Sequence, residues 1–133
     1  MGMMLQISNY MTLAPKVINH DKTLLEASEY MRKLHVRHLP VQKAGKIVGI
    51  VSDRDIKLAL TLKDQSALGD KVEVALTPNP FFVEPRARVS DVCRIMADDK
   101  YGCILVLERG QLVGIFTVVD ALRALVDVFR QAA

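Results

Sequence analysis

Two short stretches of this 133-residue chain carry side chains that could do chemistry: GIVSDRD at 49–55 and GIFTVVD at 114–120. Each places a hydroxyl, Ser52 or Thr117, three residues before a carboxylate, Asp55 or Asp120. At a helix start this spacing is a capping box. The hydroxyl accepts from the backbone N–H three residues on, and the carboxylate reaches back to the cap. The same pair can also serve a ligand: a carboxylate accepts from vicinal hydroxyls, and the adjacent helix N-terminus favours phosphate. Phosphate further calls for cations. Arg37, His38 and Arg54 accompany the first stretch, whereas the matching residues of the second are Gly102, Cys103 and Val119. Residues 11–62 hold nine Lys/Arg against five Asp/Glu, and residues 76–127 six against seven, so the first stretch is the better phosphate site.

The elements that must position these groups follow from an internal repeat. Shifted by 65 positions, residues 11–60 lie on 76–125 without a gap and with eleven identities, among them Met31/Met96, Gly49/Gly114 and Asp55/Asp120. In TLLEASEYMRKLH (23–35), Leu24, Ala27, Met31 and Leu34 form one helical stripe, and Thr23 with Glu26 forms a capping box. Val89, Val92, Cys93 and Met96 repeat the stripe, which makes Cys93 a core residue. RHLPVQ, the turn at 44–46 and KIVGIVS predict a hairpin, matched by GCILVLE and QLVGIFT. A second helix is expected over 53–62 and 118–129, and a short extended piece near Val17–Asn19 and Phe82–Glu84. Each copy is thus β-α-β-β-α. The expected boundaries are 1–65 for the first repeat with the N-terminal segment and 66–133 for the second. A copy of about 50 residues is small for a core of its own, so the two sheets are expected to pack face to face with pseudo-twofold symmetry.

Other chemistries find little support. No nucleophile–base pair, phosphate-cradling glycine loop or carboxylate dyad stands outside the capping positions, so an enzyme is not expected. His20, His35 and His38 lack ligand spacing, and Cys93 and Cys103 form no CxxC pair, so no metal is expected. Arg32, Lys33, His35, Arg37 and His38 lack interleaved aromatics, and read as a solvated face rather than a nucleic-acid surface. No apolar run approaches the roughly 18–20 residues that span a bilayer. The N-terminus does not read as a signal peptide, which makes a cytoplasmic setting the expectation.

YMTLAPKVINHDKTLLEASEYMRKLHVRHLPV followed by GKIVGIVSDRD resembles the CBS-domain family, and ALTPNPFFVEP with GQLVGIFTVVD resembles it again in register. The resemblance covers nearly the whole chain and implies a stand-alone pair of CBS domains. Such pairs hold an adenosine-containing ligand (AMP, ADP, ATP or another adenosyl compound) in clefts between the repeats, with no cofactor required. Carried over, the family's ribose and phosphate positions fall on Ser52, Asp55, Thr117 and Asp120. Its adenine slot falls on Val17, Ile18, Leu39 and Pro40, and on Phe82, Val83 and Ile104. Arg37 and His38 resemble a phosphate-contacting pair. The same residues also read as helix caps, core packing and surface charge, which is the alternative of a dimerisation scaffold without ligand. The resemblance further implies a homodimer, through the apolar helices at 56–62 and 121–129, and an effector protein as partner.

Overall fold

The computed structural model describes residues 5–13 and 15–132. Two four-stranded sheets and four α-helices make the chain α+β. It divides into two compact units, Lys16–Pro80 and Met1–Pro15 with Phe81–Ala133. This division differs from the boundary expected at 65/66, because each repeat is completed by a strand that lies next to the other repeat in sequence.

In the first-repeat unit, β2 (Ile18–Asn19), β3 (His38–Lys43), β4 (Lys46–Ser52) and β5 (Thr77–Pro78) form one sheet in that order. In the second-repeat unit the order is β1 (Thr12–Leu13), β8 (Gln111–Thr117), β7 (Cys103–Glu108) and β6 (Phe82–Val83). The two hairpins are alike to the residue. Ala44 and Gly45 turn the first with φ of 51° and 78°, Arg109 and Gly110 the second with 52° and 77°. Successive positive φ values match the right-handed twist of flanking strands. Both hairpins shift register at the same place, between Val41 and Gln42 and between Val106 and Leu107.

The glycine in each G-x-x-[Ser/Thr] stretch is there for the crossing strand. A Cβ on Gly49 would lie 2.5 Å from the Thr77 carbonyl oxygen, and one on Gly114 would lie 2.5 Å from Met11 Sδ and 3.1 Å from the Thr12 carbonyl oxygen. β5 and β1 therefore pack on strands that only glycine leaves open enough.

Helix α1 (Leu24–Leu34) begins with the expected capping box: Glu26 N donates to Thr23 Oγ1 at 3.1 Å, and the Glu26 carboxylate accepts from Thr23 N. It ends at His35, whose left-handed backbone turns the chain into β3. Helix α3 (Val89–Asp99) has Arg88 at its N-cap and no side-chain cap bond. α2 (Asp53–Lys63) and α4 (Val118–Ala132) follow the hairpins, and α4 runs beyond the expected 129. Leu24, Ala27, Met31, Leu39, Val41, Val51 and Ile56 pack one core with Val72. Val89, Val92, Met96, Ile104, Val106, Phe116 and Ala124 pack the other with Ile7. Cys93 sits at the margin of that second core, part-exposed, and burial raises its thiol pKa.

Candidate nucleotide site

The last residue of β4 is the N-cap of α2, so the sheet hands its hydroxyl directly to a helix start. Ser52 has extended dihedrals (φ −117°, ψ 163°) and accepts from Asp55 N at 3.0 Å. Asp55 Oδ2 accepts from Ser52 N at 2.8 Å. Its other oxygen, Oδ1, has no hydrogen-bond partner among the described residues, and the side chain is only part-buried.

The second repeat starts from the same motif and arrives elsewhere. Asp120 Oδ2 accepts from Thr117 N at 2.9 Å and from Thr117 Oγ1 at 3.1 Å, while Thr117 Oγ1 accepts from Asp120 N at 3.4 Å. Arg123 Nη1 reaches Asp120 Oδ1 at 3.4 Å, and Asp120 is only 2% exposed. Both carboxylate oxygens are therefore spent inside the fold. Asp120 thus differs from Asp55, whose Oδ1 has no partner among the described residues.

Cationic groups gather on the first-repeat side. The β3–β4 register sets His38 opposite Ser52. Burial lowers the pKa of His38; the carboxylate of Asp55 works against that shift, and the charge of Arg37 adds to it. Arg37 is exposed, and its carbonyl accepts from Asp53 N at 2.9 Å, which fixes it beside the start of α2. Arg54 is exposed in the first turn of α2. Ser52, Asp55, His38 and the backbone of Arg37 thus meet at the C-terminal end of β4, with Arg54 exposed next to Asp55 in the chain.

The apolar positions divide by strand alternation. Ile18 and Leu39 point into the core beneath α1, and Ile104 into the core of the second unit. Val17 is part-buried. Pro40 is buried on the face of β3 opposite to Leu39, and the parallel register Ile18↔Val41 sets Val17 level with it. In the second repeat Phe82 is 38% exposed and Val83 packs against the core. Of the expected slot, Val17, Pro40 and Phe82 therefore have side chains outside the two helix-packed cores; Ile18, Leu39 and Ile104 can offer a ligand chiefly their backbone.

The sequence reading missed a groove of about 430 Å³ on the first-repeat unit, where Val17, Ile18 and Asn19 face Lys22, Glu26, Tyr30 and Lys33 of the α1 region. In sequence the Lys/Glu spacing on α1 reads as a solvated helix face. No three His, Cys, Asp or Glu side chains stand together as a metal site among the described residues, and none of the helices described is long and apolar enough to cross a membrane.

The sequence profile of the CBS domain matches residues 7–62 and again 71–127, which together make up most of the chain. The chain belongs to the CBS-domain family. This CBS pair is 30% identical over 128 residues to a protein of Methanocaldococcus jannaschii; the match covers 94% of this chain and 46% of the relative, so the chain spans about half of that protein's length. A solved structure from Pyrococcus horikoshii is 30% identical with a TM-score of 0.82, over 93% of this chain and 94% of the other. The structure of CBSX2 in complex with AMP is 27% identical with a TM-score of 0.76, over 92% of this chain and 97% of that one.

Proposed function

We propose that this CBS pair is a regulatory module that binds an adenosine nucleotide (AMP, ADP or ATP) at the first-repeat constellation and relays occupancy to a partner protein. The observation that carries the reading is the inequality of the two acids: Asp55 retains an open acceptor oxygen among Arg37, His38 and Arg54, and Asp120 does not. In this reading Asp55 accepts from the ribose diol, Ser52 and the start of α2 face the phosphate, Arg37 and Arg54 neutralise it, and His38 stands by as a hydrogen-bonding group. Val17 and Pro40 bracket the base. AMP bound to the structurally similar CBSX2 supports the ligand class. No reacting group is called for; the ligand acts only through its difference in affinity for two arrangements of the module. We assign the module to the cytoplasm.

The test is calorimetric titration of the folded, nucleotide-free protein with AMP, ADP and ATP. Saturable binding that is lost in Asp55→Asn and kept in Asp120→Asn supports the assignment. No binding of any of the three refutes it.

One observation favours the scaffold as a second reading. Val118, Leu122 and Phe129 are exposed at helical spacing along α4, with Val126 beside them, and Leu58 and Leu62 are exposed on α2. These faces suit a homodimer contact.

A further inference from the structure

The short segments that complete the two cores follow the same offset of 65 as the repeats themselves. Leu24 N donates to the Asp70 carbonyl and Val89 N to the Leu5 carbonyl, each at 2.9 Å. Val72 N donates to the Lys22 carbonyl, and Ile7 N to the Ala87 carbonyl. Lys71 pairs with Thr23 through an isolated bridge, and Gln6 with Arg88. A 3-10 turn follows in both, Val72–Val74 and Ile7–Asn9, and the first residue of each is fully buried. Residues 5–9 therefore sit in the second-repeat unit as residues 70–74 sit in the first.

Just before Asp70 the first-repeat unit makes another 3-10 turn, Gln65–Gly69, against α1 and α2. Ala67 is fully buried there, Leu68 packs on the core, and Gly69 is exposed. In the second-repeat unit a groove of about 390 Å³ lies between α3 and α4, with Leu5, Val89, Cys93, Ala124 and Leu125 among its walls. Val89 corresponds to Leu24 on α1, and Ala124 and Leu125 to Ala59 and Leu60 on α2. The residues ahead of Leu5 lie outside the described ones; the offset of 65 sets Gly2 in register with Ala67, Met3 with Leu68 and Met4 with Gly69. The residue types agree where the first copy is buried: a small residue for Ala67, a long apolar one for Leu68. Methionine adapts its shape to irregular apolar gaps. Leu5 is itself a wall of the groove, so Met3, two residues away, is within reach of it. We propose that the α3–α4 groove is the docking site of the chain's own Gly2–Met4 segment, with Met3 as its anchor. The segment then closes the second core as Ala67 and Leu68 close the first. This docking is independent of the nucleotide reading.

The experiment is the rate of Cys93 alkylation in the folded full chain, followed by mass spectrometry at several protein concentrations. Cys93 lines the groove, so its thiol reports whether the groove is covered. Met3→Asp should speed the reaction about tenfold, the worth of a methionine side chain taken out of water. Met3→Leu, which restores the residue type of the first copy, should leave the rate unchanged. So should Met4→Asp, because its counterpart Gly69 is exposed. An unchanged rate in Met3→Asp, or an equal rise in Met4→Asp, overturns the proposal. So does wild-type protection of Cys93 that fades on dilution or on dialysis, because the occupant would then be a second copy or a copurified small molecule.

Discussion

Exchanging Asp55 for Asn separates ligand binding from folding. An Asn oxygen can still accept from Ser52 N, the bond of 2.8 Å that ties the cap to the first turn of α2. The cost to stability is then the loss of one negative charge at a helix N-terminus, about 0.3–1 kcal/mol. For a domain of this size that lowers Tm by about 1–5 °C. The open Oδ1 fares differently. In place of its open acceptor oxygen the site gains an amide NH₂, which donates towards hydroxyls that must themselves donate. Losing a charge-assisted bond to the diol costs about 1.5–3 kcal/mol, or about ten- to a hundred-and-fifty-fold in Kd. Asp120→Asn should show the reverse. Its carboxylate is buried and accepts from Thr117 N, Thr117 Oγ1 and Arg123. A buried amide that leaves one of these bonds unmade costs about 1–3 kcal/mol, with nucleotide affinity unchanged. Calorimetry with AMP and thermal unfolding of both variants give the two axes. If both variants lose affinity alike, or if affinity falls only in proportion to stability, the distinction drawn between the two acids is wrong.

Gly49→Ala should destabilise more than Gly114→Ala in urea unfolding, about 1–3 kcal/mol of overpacking for the former, since its Cβ meets the Thr77 backbone while that of Gly114 first meets the flexible Met11 side chain. Burial lowers the His38 pKa, so the folded state resists a proton that the unfolded chain takes up near pH 6.5. The stability that follows is whole above that pH and is lost as pH falls through the folded pKa; the urea midpoint of wild type should therefore drop more steeply from pH 7 to 5 than that of His38→Gln. A nucleotide phosphate beside His38 should favour its protonated form, so calorimetry in buffers of different ionisation enthalpy should detect proton uptake on binding below about pH 6.5. Sedimentation should show a dimer for wild type and a monomer for Leu122→Asp with Phe129→Asp; a dimer that survives the pair refutes the α4 contact.

Most of the fold was legible because the repeat is ungapped and its turns are explicit. The offset of 65 placed both hairpins, both capping stretches and all four helices, and Ala44-Gly45 and Arg109-Gly110 marked the turns. What escaped was the exchange of strands between units. Thr12–Leu13 pairs with Gly114 and Ile115, and Thr77–Pro78 with Gly49 and Ile50. A two-residue strand carries no periodicity from which to read it. The sign available in the sequence was indirect: glycine at both 49 and 114, inside otherwise β-branched strands, marks a close backbone approach without naming what approaches.

The candidate site was legible in its parts and not in its balance. Ser52-x-x-Asp55 and Thr117-x-x-Asp120 read identically as capping boxes and as ligand groups, and the charge difference between the repeats was the only hint that they diverge. The deciding residue is Arg123, one turn into α4, where the first repeat has Leu58. An arginine three residues after an acid reads in sequence as an ordinary surface pair. Only when Asp120 is buried does that pair become the partner that occupies the second carboxylate oxygen. At Asp55 the corresponding Leu58 can offer no donor, so Oδ1 has no partner among the described residues. The same duplication that makes the fold readable therefore makes the two sites look equivalent, and it is the burial of one acid that sets them apart.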